Sequence, residues 1–332
     1  MLKGALVGFG EVSRNGHWPG YEARPDVEIV AVVDQSADRR ALASSLSPRI
    51  TAFASLAEIP ASASIDFVDI CTPPKLHAEP MLQALDRGWH VLCEKPFLLD
   101  PAVLDIARAR AMERGVALIP VHNWKYAPIV RGATAALHRG VIGGLKHVEI
   151  ETSRMHAAPT AQPGGANWRN DPEIAGGGIL MDHGWHSVYL ALHWFGQKAT
   201  DVRASLHRAL NGGVPGVEDE ARVVIDFPGG DATIMLTWNG SVRRNAMRLE
   251  GERGEIVLAD DTLHENGVTT RFPSALSAGS AHADWFAAML PDVLAGFHSP
   301  VLSRPLLEEA AECLSIIRQA YRSDVPLAAP SR

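Results

Sequence analysis

The sequence predicts an α/β protein in two parts: a doubly wound parallel sheet first, then an α+β region dominated by antiparallel strands. Three observations carry this. Up to about residue 122, short apolar runs alternate with helical patterns, the order that βαβ crossovers produce. A glycine-rich turn, Gly8-Phe9-Gly10-Glu11-Val12-Ser13, follows the first run directly. After about residue 123 the texture changes to alternating strands joined by turn signals. At about 150 residues per domain, a chain of 332 residues suggests two domains, 1–122 and 123–332.

The apolar runs of the first part lie at 3–7, 27–33, 67–71, 90–93 and 116–121. Strands buried on both faces read as continuous apolar runs, so these belong in a parallel sheet covered by helices on either side. Helical patterns separate them at 36–47, 76–87 and 101–114. In the second part a helix is expected at 129–139 and an alternating strand at 147–154. A Pro/Gly-rich stretch then runs over 157–172, and a helix over 181–195. Two hairpins follow, 222–227 with 232–238 around Pro228-Gly229-Gly230-Asp231, and 246–250 with 255–258. Helices at 281–297 and 306–322 close the chain, the last able to pack back on the first domain.

Composition excludes several function classes. With 31 Lys+Arg against 38 Asp+Glu, a formal charge of −7, there is no basic field to attract a phosphate backbone, so nucleic acid is not expected as a partner. No apolar run approaches the roughly 18–20 residues of a membrane span. The first residues read straight into a strand and leave no room for a signal peptide. Cys71, Cys93 and Cys313 form neither a disulfide framework nor a CxxC zinc pair. A soluble, cytoplasmic protein is expected.

The glycine turn matches the dinucleotide fingerprint G-x-G-x-x-G except that Ser13 stands third. The first glycine makes the tight turn and the second lets backbone approach a pyrophosphate, to which the following helix offers free N–H groups. Gly8, Gly10, Glu11 and Val12 are therefore cofactor-binding candidates. The next strand ends in Asp34, about 20 residues beyond the turn, where a carboxylate accepts the adenine ribose hydroxyls. A carboxylate there repels a 2′-phosphate, which favours NAD, while Arg39 and Arg40 leave NADP possible. Capping the next helix is the alternative role for Asp34.

Four further segments join this turn: Cys71-Thr72-Pro73-Pro74-Lys75-Leu76-His77, Cys93-Glu94-Lys95-Pro96, Asn123-Trp124-Lys125-Tyr126-Ala127-Pro128, and residues 176–186, Gly-Gly-Gly-Ile-Leu-Met-Asp-His-Gly-Trp-His. In that order and spacing they resemble the glucose–fructose oxidoreductase, inositol dehydrogenase and rhizopine-catabolism family, Gfo/Idh/MocA. The resemblance is most specific up to about residue 195. It implies a Rossmann domain, a C-terminal domain with a large, mostly antiparallel open sheet, and a homodimer or homotetramer. It also implies NAD(P)-dependent chemistry at a hydroxyl or carbonyl carbon of a sugar, cyclitol or related polyol. Lys125 departs from the arginine that many members carry there, which loses a planar two-point contact.

By this resemblance Lys95, Asp182 and His186 are the catalytic set, and Thr72, Pro73, His77, Glu94 and Lys95 join the cofactor contacts. The residue types suit the chemistry. Oxidising an alcohol needs a proton acceptor, and histidine titrates near neutral pH. Lysine stabilises developing negative charge on the oxygen, and the two could exchange these roles. Asp182 and His186, spaced i,i+4, share one helix face, with Asp182 as orienter. The glycines at 176–178 allow close approach of a ligand or cofactor. Asp182, His183, His186 and His193 offer metal-ligand side chains, but His183 is rotated off the shared face and no Cys or Glu completes a set.

Substrate contacts are expected from Lys95, Asp182 and His186, from Trp124, Lys125 and Tyr126, and from Asn167, Trp168 and Arg169. Indole faces suit ring faces, and Asn and Arg suit hydroxyls. Trp185 and Trp194 are expected in the core. Two other readings share the cofactor: an NAD-dependent redox-neutral glycoside hydrolase, and a non-catalytic dinucleotide-sensing regulator. An intact Lys95, Asp182, His186 set argues against the regulator.

Overall fold

The computed structural model of the chain describes residues 1–159, 167–208 and 216–324. It contains two compact units. The first comprises Met1–Asn123 and Ser280–Ala311, the second Trp124–Gly279 and the chain from Glu312 on.

The first unit is built on strands β1 (Leu2–Val7), β2 (Val27–Val33), β3 (Thr51–Phe53), β4 (Phe67–Ile70), β5 (His90–Cys93) and β6 (Leu118–Pro120). They form one sheet in the order β3-β2-β1-β4-β5-β6, and every pairing is parallel. This is the Rossmann order, with the reversal between β1 and β4 where ligands bind beyond the strands' carboxyl ends. β1 and β4 lie at its centre, and Ala5, Leu6, Phe67, Val68 and Ile70 are completely buried.

The connecting helices are α1 (Trp18–Glu22), α2 (Ala37–Leu46), α3 (Ala78–Asp86) and α4 (Pro101–Arg114). Their ends follow from local chemistry. Asp100 caps α4 by accepting the Ala102 N–H, Pro101 opens it, and Gly115 closes it with φ +66. β3 was not expected from sequence: at three residues, none fully buried, it has too little apolar pattern to read.

In the second unit come α5 (Pro128–His138), β7 (Leu145–Ser153), α6 (Pro172–Ala175), α7 (Trp185–Phe195), and β8 (Asp201–Arg208) to β14 (Val268–Arg271). Between them are β9 (Glu218–Phe227), β10 (Gly230–Thr237), β11 (Arg244–Gly251), β12 (Gly254–Ala259) and β13 (Thr262–Glu265). The eight strands make one open sheet, β14-β13-β12-β11-β7-β10-β9-β8. All pairs are antiparallel except β7 with β10.

Both expected hairpins form, as β9–β10 and β11–β12. They are joined through β7, which pairs on either side with a strand about 80 to 100 residues later in the chain, a contact no local signal announces. One face buries Val148, Ile150, Val223, Ile225, Ala232, Ile234, Met247 and Leu249. α8 (Ala283–His298) belongs to the first unit, and α9 (Arg304–Arg322) begins in the first unit and ends in the second.

Candidate functional site

The glycine turn lies where β1 ends. Gly8 has φ +86, and a Cβ there would stand 2.9 Å from Thr72 Cγ2. Both the backbone conformation and the packing therefore demand glycine. At Gly10 a Cβ would meet nothing within 4 Å, so the second glycine borders open space on the side where a pyrophosphate would lie.

The helix after the turn, which also takes in Glu11 and Val12, is not regular. Ser13–His17 is a π-turn leading into α1, whose second residue is Pro19. Proline has no N–H and its ring crowds the carbonyl four residues earlier, so a wider turn accommodates it. Ser13, in the third-glycine position, is fully buried.

Asp34 is buried at the end of β2. Its Oδ2 accepts the Phe9 N–H at 2.7 Å and its Oδ1 accepts the Ser36 N–H at 2.8 Å. The carboxylate thus braces the glycine turn and still has a lone pair on each oxygen for ribose hydroxyls. The cap of α2 is Ser36, not Asp34. Arg39 approaches Asp34 Oδ2 at 3.6 Å. Arg40 instead donates to the backbone oxygens of Asp34 and Gln35.

At the ends of β4 and β5 the expected cofactor residues separate into two kinds. Thr72 and Pro73 are partly exposed, whereas His77 is fully buried. The His77 ring nitrogens face the backbone oxygens of Thr72 at 2.7 Å and Phe97 at 3.2 Å. His77 therefore pins the Thr72–Pro73 segment from within. Burial, only partly offset by those carbonyls, lowers its pKa.

Lys95 follows β5 half-buried, and its peptide bond to Pro96 is cis. Glu94 accepts the Lys95 backbone N–H through Oε2 at 2.9 Å and meets His17 Nε2 through Oε1 at 3.1 Å. His17, Asp69, Cys71 and Tyr21 are the residues here that the sequence reading missed. The available signal was Asp69, a charge inside the apolar run Phe67–Ile70. A buried strand carboxylate needs partners, and Asp69 Oδ2 has two, His17 Nδ1 at 2.7 Å and the Tyr21 hydroxyl at 2.9 Å.

His17, Asp69 and Cys71 place their donor atoms within 4.8 Å of one another, the one such group among the described residues. The 2.7 Å separation of His17 Nδ1 from Asp69 Oδ2 is that of a hydrogen bond. Two ligands of one tetrahedral zinc would stand about 3.3 Å apart. Burial, reinforced by Asp69 and opposed by His17, pushes the Cys71 thiol up to about 12.

In the second unit the Asp182 turn is anchored by Glu218, a residue the sequence reading did not single out. Its Oε1 accepts the N–H groups of Gly178 and Leu180 at 2.8 and 3.0 Å, and the Tyr321 hydroxyl at 2.6 Å. Burial nevertheless leaves the Glu218 pKa raised. A Cβ at Gly178 would collide with the Glu218 backbone oxygen, and one at Gly177, where φ is +157, with the Tyr321 hydroxyl. The close approach expected at these glycines is thus made within this unit by Glu218 and Tyr321.

Leu180–Gly184 forms a second π-turn ahead of α7, a feature common at functional sites. Asp182 Oδ2 lies 3.5 Å from Arg169 Nε and 3.4 Å from His183 Nδ1. His183, expected off the face that Asp182 and His186 share, is the next residue of the π-turn and meets the Asp182 carboxylate from beside it. The Arg169 guanidinium in turn lies 4.2 Å over the Trp168 ring. Asn167 is committed to its own loop: its Oδ1 accepts the Arg169 N–H and its Nδ2 donates to the Ala158 oxygen. The buried Arg154 adds a cation near Asp182; burial, with Arg243 nearby, lowers its pKa to about 10 against the opposing pull of Asp182.

His186 is buried in α7. Its ring stacks on the Trp124 indole at 4.5 Å and 14°. Its Nδ1 stands 2.8 Å from the Tyr189 hydroxyl, which also accepts the Trp124 backbone N–H at 3.0 Å. Trp124 is itself buried and so cradles His186, while Lys125 and Tyr126 beside it are half-buried. Trp185 and Trp194 lie in the core as expected.

Comparison with known proteins gives the family of the chain. The model of an oxidoreductase family with an NAD-binding Rossmann fold, GFO_IDH_MocA, matches residues 2–122. The GFO/IDH/MocA C-terminal domain matches residues 130–257. The chain is similar to scyllo-inositol 2-dehydrogenase (NADP(+)) IolU of Bacillus subtilis, 30% identical over 240 residues covering 72% of this chain and 70% of that protein. It is also 30% identical to D-glucoside 3-dehydrogenase of Escherichia coli over 208 residues, 59% of this chain and 54% of that enzyme. Among solved structures it resembles GenD2 from gentamicin A biosynthesis in complex with NAD, with a TM-score of 0.80, 25% identity, and 97% and 93% of the two chains covered.

Proposed function

The chain belongs to the Gfo/Idh/MocA oxidoreductase family, and from that premise we propose that it moves hydride between NAD and a hydroxyl or carbonyl carbon of a sugar, cyclitol or related polyol. The protein is an oxidoreductase with an NAD(P)-binding Rossmann domain. The names of its B. subtilis and E. coli relatives support polyols and glucosides as the substrate class. Open space at Gly10 and the Asp34 carboxylate at the end of β2 fit the dinucleotide, with Asp34 favouring NAD over NADP.

The observation that carries the catalytic reading is the fixed imidazole of His186, held by Trp124 and Tyr189. When bound, the nicotinamide accepts or returns the hydride. In oxidation His186 takes the hydroxyl proton. For this its Nε2 must be the unprotonated nitrogen, so Nδ1 carries the proton and donates to the Tyr189 oxygen. By the family resemblance Lys95 is the electrostatic partner of the reaction, stabilising the negative charge that develops on the substrate. Asp182, oriented by Arg169, binds a neighbouring hydroxyl. Trp168 and Arg169, with Lys125 and Tyr126, complete the substrate contacts.

No helix among the described residues is long and apolar enough to cross a membrane. We place the enzyme in the cytoplasm as a homo-oligomer. For the homo-oligomer, what supports the reading is the sheet face opposite the core, where Val224, Met235 and Val257 are half-buried among charged neighbours such as Glu149, Arg222 and Arg248.

The test is absorbance of reduced nicotinamide with NAD, and in parallel NADP, against a panel of cyclitols, aldoses, glucosides and sugar acids. Signal with one compound class and NAD is the expected result. Silence across the panel while NAD binds overturns the substrate assignment.

A further inference from the structure

His17 is buried and carries a carboxylate on each ring nitrogen, Asp69 Oδ2 at 2.7 Å from Nδ1 and Glu94 Oε1 at 3.1 Å from Nε2. Only the doubly protonated imidazolium has two N–H groups to donate. A neutral ring would turn a lone pair on one of the two carboxylates. The groups facing His17 are two carboxylates, with the Tyr21 hydroxyl on Asp69 and the Cys71 thiol 3.4 Å from Nδ1. Burial opposes the charge on His17, but Asp69 and Cys71 together more than offset it, and the pKa stands well above the ordinary histidine value.

Each end of this bridge is fixed. Asp69 sits within β4, paired to Leu6 on one side and Leu92 on the other. The His17 ring plane is set by Phe286, stacked at 3.7 Å and 10°. Glu94 uses its second oxygen on the Lys95 backbone N–H at 2.9 Å, and its own N–H bonds the Ile70 oxygen at 2.9 Å. The π-turn at Ser13–His17 carries His17, so the segment that follows the glycine turn is tied to the turn that presents Lys95.

We infer that His17 is a positioning residue for the reaction. Its imidazolium bridges Asp69 to Glu94, and Glu94 in turn holds the backbone of Lys95. The inference rests on the reading of Lys95 as a catalytic residue.

The experiment is a double-mutant cycle with His17→Gln, Glu94→Gln and the double variant, measuring kcat, the KM for substrate and the Kd for NAD. Lys95→Ala runs alongside. Misplacement of a reacting group by about 1 Å costs on the order of 100-fold. Each single variant is expected to lose up to about that much kcat, His17→Gln without loss of NAD affinity, and the double variant to fall no further than the worse single one. Independent, multiplying losses overturn the bridge. If Lys95→Ala retains turnover, the catalytic reading itself fails, whatever the cycle shows.

Should His17→Gln not fold, the charge is read directly in the native protein. In 15N-histidine NMR, His17 should remain doubly protonated at a pH where ordinary histidines, titrating near about 6.5, are already neutral, and lose that charge at lower pH in Glu94→Gln. A His17 ring that turns neutral along with ordinary histidines in the native protein overturns the proposal.

Discussion

The hydroxyl of Tyr189 stands 2.8 Å from Nδ1 of His186, one helical turn away on α7. Because the same oxygen accepts the Trp124 N–H, its place does not depend on His186. It can therefore fix both the tilt of the imidazole and the nitrogen that carries the proton.

Tyr189→Phe should keep the packing and remove this contact. A net hydrogen bond of about 1 kcal/mol corresponds to roughly fivefold. We expect kcat to fall by about that factor or more, with the Kd for NAD unchanged. Steady-state kinetics with binding by fluorescence checks it, and an unchanged kcat would remove Tyr189 from the site.

His186→Ala should cut turnover at least about 100-fold, the usual scale of acid–base catalysis, and leave NAD binding intact. Near-normal turnover would sink the assignment of His186 as proton acceptor and return that role to Lys95.

Asp34→Ser removes a charge that would oppose a 2′-phosphate. Like charges brought together cost several kcal/mol, so the NADP-to-NAD ratio of kcat/KM should rise by at least about tenfold. The ratio is the right measure, because losing the Asp34 bond to the Phe9 N–H weakens both cofactors alike. A constant ratio would mean that Asp34 only braces the turn.

Two glycines should respond oppositely to alanine. At Gly10 nothing lies within 4 Å of a new Cβ, so Gly10→Ala should melt like the native protein but bind NAD more weakly. At Gly178 the methyl meets the Glu218 backbone oxygen, and overpacking of this kind costs about 1–3 kcal/mol. Thermal melts alongside NAD titrations separate the two. A Gly10→Ala variant with native NAD affinity would contradict the cofactor placement.

His77 should set part of the acid limb of stability. Its pKa is lowered by burial in the folded state, so the unfolded chain, titrating near 6.5, binds the extra proton. Its contribution is whole above about pH 6.5 and is lost as pH falls from there through the folded value. His17, with a raised pKa, has the opposite sign: its contribution is whole below about pH 6.5 and is lost as pH rises through the folded value. Melts from about pH 7 to 5 should show a shallower decline for His77→Gln than for the native protein. An identical slope would refute the assignment.

Five of the six parallel strands, the glycine turn, the carboxylate at Asp34 and both hairpins of the second sheet are legible in the sequence. Each is written in local periodicity or short-range spacing, which a linear reading can follow. The sequence also brought Lys95, Asp182 and His186 to notice, through the motifs around them. How these side chains are held is visible only in the folded chain. Asp69 meets His17 across 52 residues, Gly178 meets Glu218 across 40, and Trp124 meets Tyr189 across 65. The pairing of β7 with β10 and β11 is equally remote. Contacts between distant residues leave no periodic trace in a chain. At most they leave an anomaly, such as the single carboxylate of Asp69 in a buried strand, whose partner only the folded chain supplies.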